Sequence, residues 1–98
     1  MNKPTAGARF LLEREREDGA HAVYRVAIHT PDATYGGMAT LGEDGTVDLP
    51  PTGAPDELES TLAMLARLMA RGAAKKREDG LPPWPARVLR WRGPGRGE

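Results

Sequence analysis

The sequence contains no cysteine, a single serine, two histidines and only five aromatic residues, Phe10, Tyr24, Tyr35, Trp84 and Trp91. Without cysteine there is no disulfide framework, no thiolate zinc site and no cysteine nucleophile. No apolar run approaches the roughly 18 residues needed to span a bilayer, so no membrane role is expected. Met1–Ala8 lacks the apolar stretch of a secretory signal. These absences predict a small soluble cytoplasmic protein without metal or cofactor. At 98 residues one domain is expected over 1–92. The last six residues, Gly-Pro-Gly-Arg-Gly-Glu, have nothing to bury and read as a disordered tail. Arg outnumbers Lys 11 to 3, and with abundant Ala, Gly and Pro this suits a GC-rich bacterial genome.

What is present supports one modest core. The apolar 39% of the chain includes 14 alanines, and burial is worth about 25 cal/mol per Å² of apolar area. The formal net charge of zero hides an asymmetry. Residues 1–70 carry a net charge of −5 and residues 71–98 carry +5. Such a split marks either a polyanion-binding surface or two halves that attract each other within one fold.

Glu17-Asp18-Gly19 and Glu43-Asp44-Gly45 each suit a three-residue hairpin loop with glycine in the left-handed third position. The first loop pairs Leu12 with Tyr24 and Phe10 with Val26. The second pairs Leu41 with Val47 and Ala39 with Leu49. Between them Thr30-Pro31-Asp32-Ala33 forms a turn that pairs Ile28 with Tyr35, Val26 with Gly37 and Tyr24 with Ala39. Phe10, Leu12, Tyr24, Val26 and Ile28 then share one face of a meander over about 8–17, 20–29, 34–42 and 45–49. Gly36 and Gly37 weaken strand three and imply a bulge or a close approach of the helix.

Pro50 to Ala54 ends the meander. Pro55 suits a first helical turn, and Asp56, Glu57 and Glu59 suit the positive end of the helix dipole. Leu58, Leu62, Leu65 and Met69 recur at helical spacing, Lys75, Lys76 and Arg77 favour the carbonyl end, and Gly80 with Pro82 stops the helix. This predicts a helix over about 55–78, which Gly72 interrupts if it ends early. The Ala63, Ala66, Ala70 and Ala73 stripe either permits close approach of another helix or reflects helix propensity, the simpler account. Arg87–Arg92 alternates as a fifth strand, with Leu89 and Trp91 facing inward and Trp84 without a role. Counting directions places that strand beside the first. The predicted fold is therefore an α+β two-layer sandwich, β-β-β-β-α-β, with sheet order 4-3-2-1-5 and the helix across one face.

No chemistry-bearing constellation stands out. His21 and His29 lie on one strand, roughly 26 Å apart at ~3.3 Å per residue, too far to share a metal. Glu13, Glu15, Glu17 and Asp18 are interrupted by Arg14 and Arg16 and read as a solvated hairpin end. The lone Ser60 has no base beside it, and neither glycine-rich stretch fits a phosphate loop. Catalytic, cofactor and metal residues are therefore expected to be absent, and the chain is expected not to be an enzyme.

Two binding surfaces remain. The sheet face opposite the helix is predicted to carry Leu11, Val23, Arg25, Met38, Val88, Arg90 and Arg92, an apolar patch with a charged rim of the kind that meets a protein partner or a second copy. Edge strands offer a further route to homodimers. The alternative is nucleic-acid binding through Arg71, Lys75, Lys76, Arg77 and Arg87, together with Arg90 and Arg92. In that reading Trp84 and Trp91 interleave with arginines as base-stacking platforms. An RNA-recognition sheet is disfavoured, because the aromatics are predicted to point under the helix.

Overall fold

A computed structural model describes residues 7–92. The elements are β1 (Ala8–Glu17), β2 (His21–His29), β3 (Thr34–Gly42), β4 (Val47–Asp48), α1 (Asp56–Glu78) and β5 (Arg87–Arg92). All strand pairs are antiparallel, and the sheet order is β4-β3-β2-β1-β5. The α+β architecture and the strand order are those the sequence predicts. The tail expected at 93–98 lies outside the described residues.

The 30–33 turn sets the predicted register, with Ile28 opposite Tyr35, Val26 opposite Gly37 and Tyr24 opposite Ala39. Its Thr30 hydroxyl bridges to Ala33. The loop at 43–45 also forms as predicted, with Leu41 opposite Val47 and Gly45 at a φ of +94°. Asp44 Oδ1 accepts from the Thr46 amide at 3.1 Å and its hydroxyl at 2.7 Å, and these bonds hold the Asp44 carboxyl below its ordinary pKa. A Cβ at Gly42 would overlap Thr46 Oγ1 and lie 2.6 Å from Asp44 Oδ1, so a side chain there would displace the two groups that hold the loop. The strand after it is only two residues long, shorter than predicted, because Pro50 and Pro51 follow closely and cannot extend a ladder.

The first hairpin departs from the prediction. Phe10 lies opposite Ile28 and Leu12 opposite Val26, two positions along from the expected pairs. Asp18 N–H donates to the His21 carbonyl at 2.9 Å, so Gly19 and Ala20 form a two-residue turn. Such a turn alone would send Phe10 and Leu12 to the wrong face. A bulge between Arg14 and Arg16 absorbs one residue of β1 and restores the alternation.

The core lies between the sheet and α1. Phe10, Leu12, Tyr24, Val26, Ile28 and Leu41 meet Leu62, Ala66, Ala70 and Ala73, all buried. Leu58, Leu65 and Met69 pack at its border rather than at its centre. The alanines are thus the contact line, with small side chains bringing the helix axis close to β3 and β4. Gly72 does not interrupt the helix, and Pro55 stands one position earlier than predicted, as its N-cap. No side chain caps the helix; Glu59 instead ties the preceding loop to its first turn, accepting from the Thr52 amide at 2.9 Å and hydroxyl at 2.6 Å. β2 and β3 pair without a bulge. A Cβ at Gly37 would meet Thr52 Cγ2 at 4.0 Å, so the Thr52 loop, not the helix, is what passes over it.

Trp84 is the largest fully buried side chain and Trp91 is 45% exposed, whereas the sequence predicts an inward Trp91 and no role for Trp84. The 84–86 segment closes the β1–β2 side. Trp84 Nε1 donates to the Gly19 carbonyl at 3.0 Å, Arg14 Nη1 donates to the Trp84 carbonyl at 2.6 Å, and Tyr24 donates to the Pro85 carbonyl at 2.6 Å. Arg77 joins the same knot through Glu43 and the Gly19 carbonyl.

Candidate functional site: the open sheet face

The face away from α1 is built in ranks by the strand registers. One rank runs Trp91, Arg9, His29, Thr34 from β5 to β3. The next runs Leu89, Leu11, Ala27, Gly36, and the third runs Arg87, Glu13, Arg25, Met38. Beyond them Val23 lies between Arg16 and Thr40.

The register places Leu11, Val23, Arg25 and Met38 on this face, and departs from the expectation in β5. Val88 pairs with Leu12 and Arg90 with Phe10, both positions on the helix side, and Arg92 pairs with Ala8. Val88 packs against the core. Leu89 and Trp91 take the open side instead. An alternating six-residue strand has two possible faces, and once Trp84 fills the space beneath β1 and β2, Trp91 has no room there. The partly buried Val88 suffices to border the core.

Within the patch Leu11 is already 8% exposed, shielded by its neighbours, whereas Met38, Leu89 and Trp91 keep 42%, 43% and 45% of their surfaces in water. The rank beside them is ionic. Arg25 meets Glu15 at 2.8 Å and Arg87 meets Glu13 at 3.9 Å. Burial and the neighbouring Arg9 lower the pKa of His29, which favours its neutral form near pH 7. Sequence reasoning missed Leu89 and Trp91 as surface residues. The signal available was that β5 has three Arg and three apolar positions, so either face leaves apolar side chains outside.

The predicted polyanion surface is dispersed and partly neutralised. Arg77 is paired with Glu43, Lys75 with Asp79 at 3.4 Å, and Arg87 with Glu13. Arg71 and Lys76 form no ion pair among the described residues. Arg87 stands on the open sheet face, apart from the four on the helix. Trp84 is buried and unable to stack on a base, and Trp91 stands on the open face, not beneath the helix.

A groove of about 310 Å³ lies between β4 and α1, lined by Leu49, Ala63, Glu59 and Arg67 among others; its Glu59 is already engaged by Thr52. His21 and His29 occupy opposite ends of β2. No group of three or more His, Cys, Asp or Glu side chains is placed to hold a metal among the described residues, and no described helix is long and apolar enough to cross a membrane. Compared with known proteins, the chain matches no family model, no curated protein and no solved structure, so its function is read from this geometry alone.

Proposed function

We propose that this protein is a small non-enzymatic interaction module that binds another protein surface through its open sheet face. The observation that carries the reading is that the strands' three exposed large apolar side chains, Met38 on β3 and Leu89 and Trp91 on β5, all lie on that one face, while Met64, Leu68 and Leu81 are exposed elsewhere. An apolar centre with charges paired at its border suits a protein interface, because the paired charges need not find new partners when water leaves. The separation of His21 from His29 supports a binding role over a catalytic one. The pairing of Lys75, Arg77 and Arg87 with carboxylates supports a protein partner over nucleic acid, which rewards unneutralised cations.

A photocrosslinking residue at Leu89, with the same residue at the exposed Arg67 of α1 as control, tests the reading in the cells that produce the protein. Discrete crosslinked species are expected from position 89 and not from 67. Equal or absent crosslinking at both positions would overturn the proposal. Titration of single- and double-stranded oligonucleotides at low salt is expected to show no salt-sensitive binding. Steeply salt-dependent binding, lost on replacing Arg71 and Lys76 with Ala, would establish the nucleic-acid function instead.

A further inference from the structure

The open face is complementary to itself. Resting on the interaction-module reading, we propose that its partner is a second copy of this chain, seated face to face to give a four-layer helix-sheet-sheet-helix dimer. The two-fold axis runs parallel to the strands, midway over β1 and β2. That operation lays β5 of one copy over β3 of the other, and β1 over β2, with each rank kept in line. Leu89 then faces the partner's Gly36, and Leu11 faces the partner's Ala27. Large side chains meet small ones across the whole central rank, the interdigitation that sheets packed ~10 Å apart require.

The ionic rank meets itself under the same operation, with Arg87 over the partner's Met38 at its two ends. Arg25 comes to lie over the partner's Glu13, and Glu13 over the partner's Arg25, so the intramolecular pairs Arg25–Glu15 and Arg87–Glu13 join into a network of alternating sign. Trp91 covers the partner's Thr34, at the β3 edge. Gly36 gains a reason in this arrangement. It leaves a hollow on the face into which Leu89 fits, and a Cβ there would lie 3.1 Å from the Val26 carbonyl oxygen.

The area is modest. Three ranks across four strands and a fourth across three, with strands about 4.8 Å and ranks about 6.7 Å apart, give a footprint of roughly 500 Å² per copy. The total of roughly 1,000 Å² is that of a weak, reversible interface. The gain comes from Met38, Leu89 and Trp91, since Leu11 is already covered. A dimer that dissociates on dilution is the expected behaviour.

Sedimentation velocity of the full chain tests this directly. The wild type is expected to shift from monomer to dimer with rising concentration, and Leu89→Glu to weaken the dimer at least about 30-fold. Because Leu89 is exposed in the monomer, its denaturation midpoint measured in dilute solution is expected to stay unchanged. Arg25→Glu and Glu13→Arg are each expected to weaken self-association, since like charges then face each other. Mixed together, the two variants are expected to form a heterodimer, a recovery that no folding defect produces. A photocrosslinker at position 89 is expected to give an adduct of twice the chain mass, joined to Thr34–Met38 of the other copy. A chain monomeric to millimolar concentration, a mixture that fails to recover, or an adduct mapping to β5 or α1 overturns the dimer. If the monomeric chain still crosslinks from position 89 to a different protein, the dimer falls and the interaction module stands. If it crosslinks to nothing, both fall.

Discussion

On the helix side of the sheet Phe10, Leu12, Tyr24, Val26, Ile28 and Leu41 are at most 1% exposed, while on the other side Met38, Leu89 and Trp91 each keep more than 40% of their surface in water. Both faces arise from the same two-residue alternation, so the strands alone do not distinguish them. The difference comes from what is laid over each. The helix side is covered twice, by the alanine line of α1 over β3 and β4 and by Trp84 over the β1–β2 end. Among the described residues the open side is covered only by its own long side chains, which shield Leu11 and little else. A core is thus made by the covering element, and an apolar residue left on the uncovered face is available to a partner.

The strongest way to break this comparison is Trp84→Ala. The change empties the largest buried side chain and removes the indole donor from the Gly19 carbonyl. Loss of a buried aromatic of this size costs about 3–5 kcal/mol, a large part of the stability of a 98-residue protein. Equilibrium denaturation is expected to show that loss. A cost below about 1 kcal/mol would mean that Trp84 does not close the core.

A smaller effect follows from Tyr24, whose phenol donates to the Pro85 carbonyl beneath the sheet. Burial pushes its pKa up to about 12, with Arg14 acting downward and Glu17 slightly upward. The unfolded chain releases this proton near pH 10, so between pH 10 and 12 the unfolded state binds fewer protons than the folded one. Stability therefore falls as pH rises through that window, by about 2–3 kcal/mol in all. Tyr24→Phe is expected to lose about 1–2 kcal/mol at pH 7 from the unpaired Pro85 carbonyl and to show a shallower alkaline decline. An equal decline in both proteins would place the titrating group elsewhere.

The two Glu-Asp-Gly tripeptides show where the sequence was legible and where it was not. At 43–45 the following Thr46 gives Asp44 two hydrogen bonds and selects the three-residue loop, as the pattern predicts. At 17–19 the following Ala20 offers no such hydroxyl. There Gly19 enters a two-residue turn instead, its carbonyl fastened by Trp84 and Arg77 from 58 and more residues away. A loop of three residues, and a turn of two with a bulge, both keep Phe10 and Leu12 inside, so local periodicity does not choose between them. Strand order was legible because directions and connection lengths leave few arrangements. Half of the site was legible for the same reason: Leu11, Val23, Arg25 and Met38 follow from the parity of the meander. The face of β5 was not, because it depends on whether Trp84 or Trp91 fills the space beneath β1 and β2, a choice between two residues of one type made by tertiary packing.

The smallest expected effect is the one that sharpens the comparison most. Trp91→Ala removes a side chain of the same type as Trp84, but from the uncovered face, opposite Arg9. In dilute solution it is expected to change the unfolding free energy by less than about 0.5 kcal/mol, as surface substitutions do. The two tryptophans also report separately. Emission from the variant is expected to be that of Trp84 alone, shifted to the blue and protected from a soluble quencher, so the quenchable part of the wild-type signal belongs to Trp91. As concentration rises, that quenchable part is expected to shrink in the wild type if the open face meets a second copy. A loss above about 2 kcal/mol on Trp91→Ala would show instead that the face is interior to the folded chain, and an unshielded Trp91 at high concentration would leave it without a second copy. One exposed indole therefore measures both the closure of the fold on one side and the occupancy of the other.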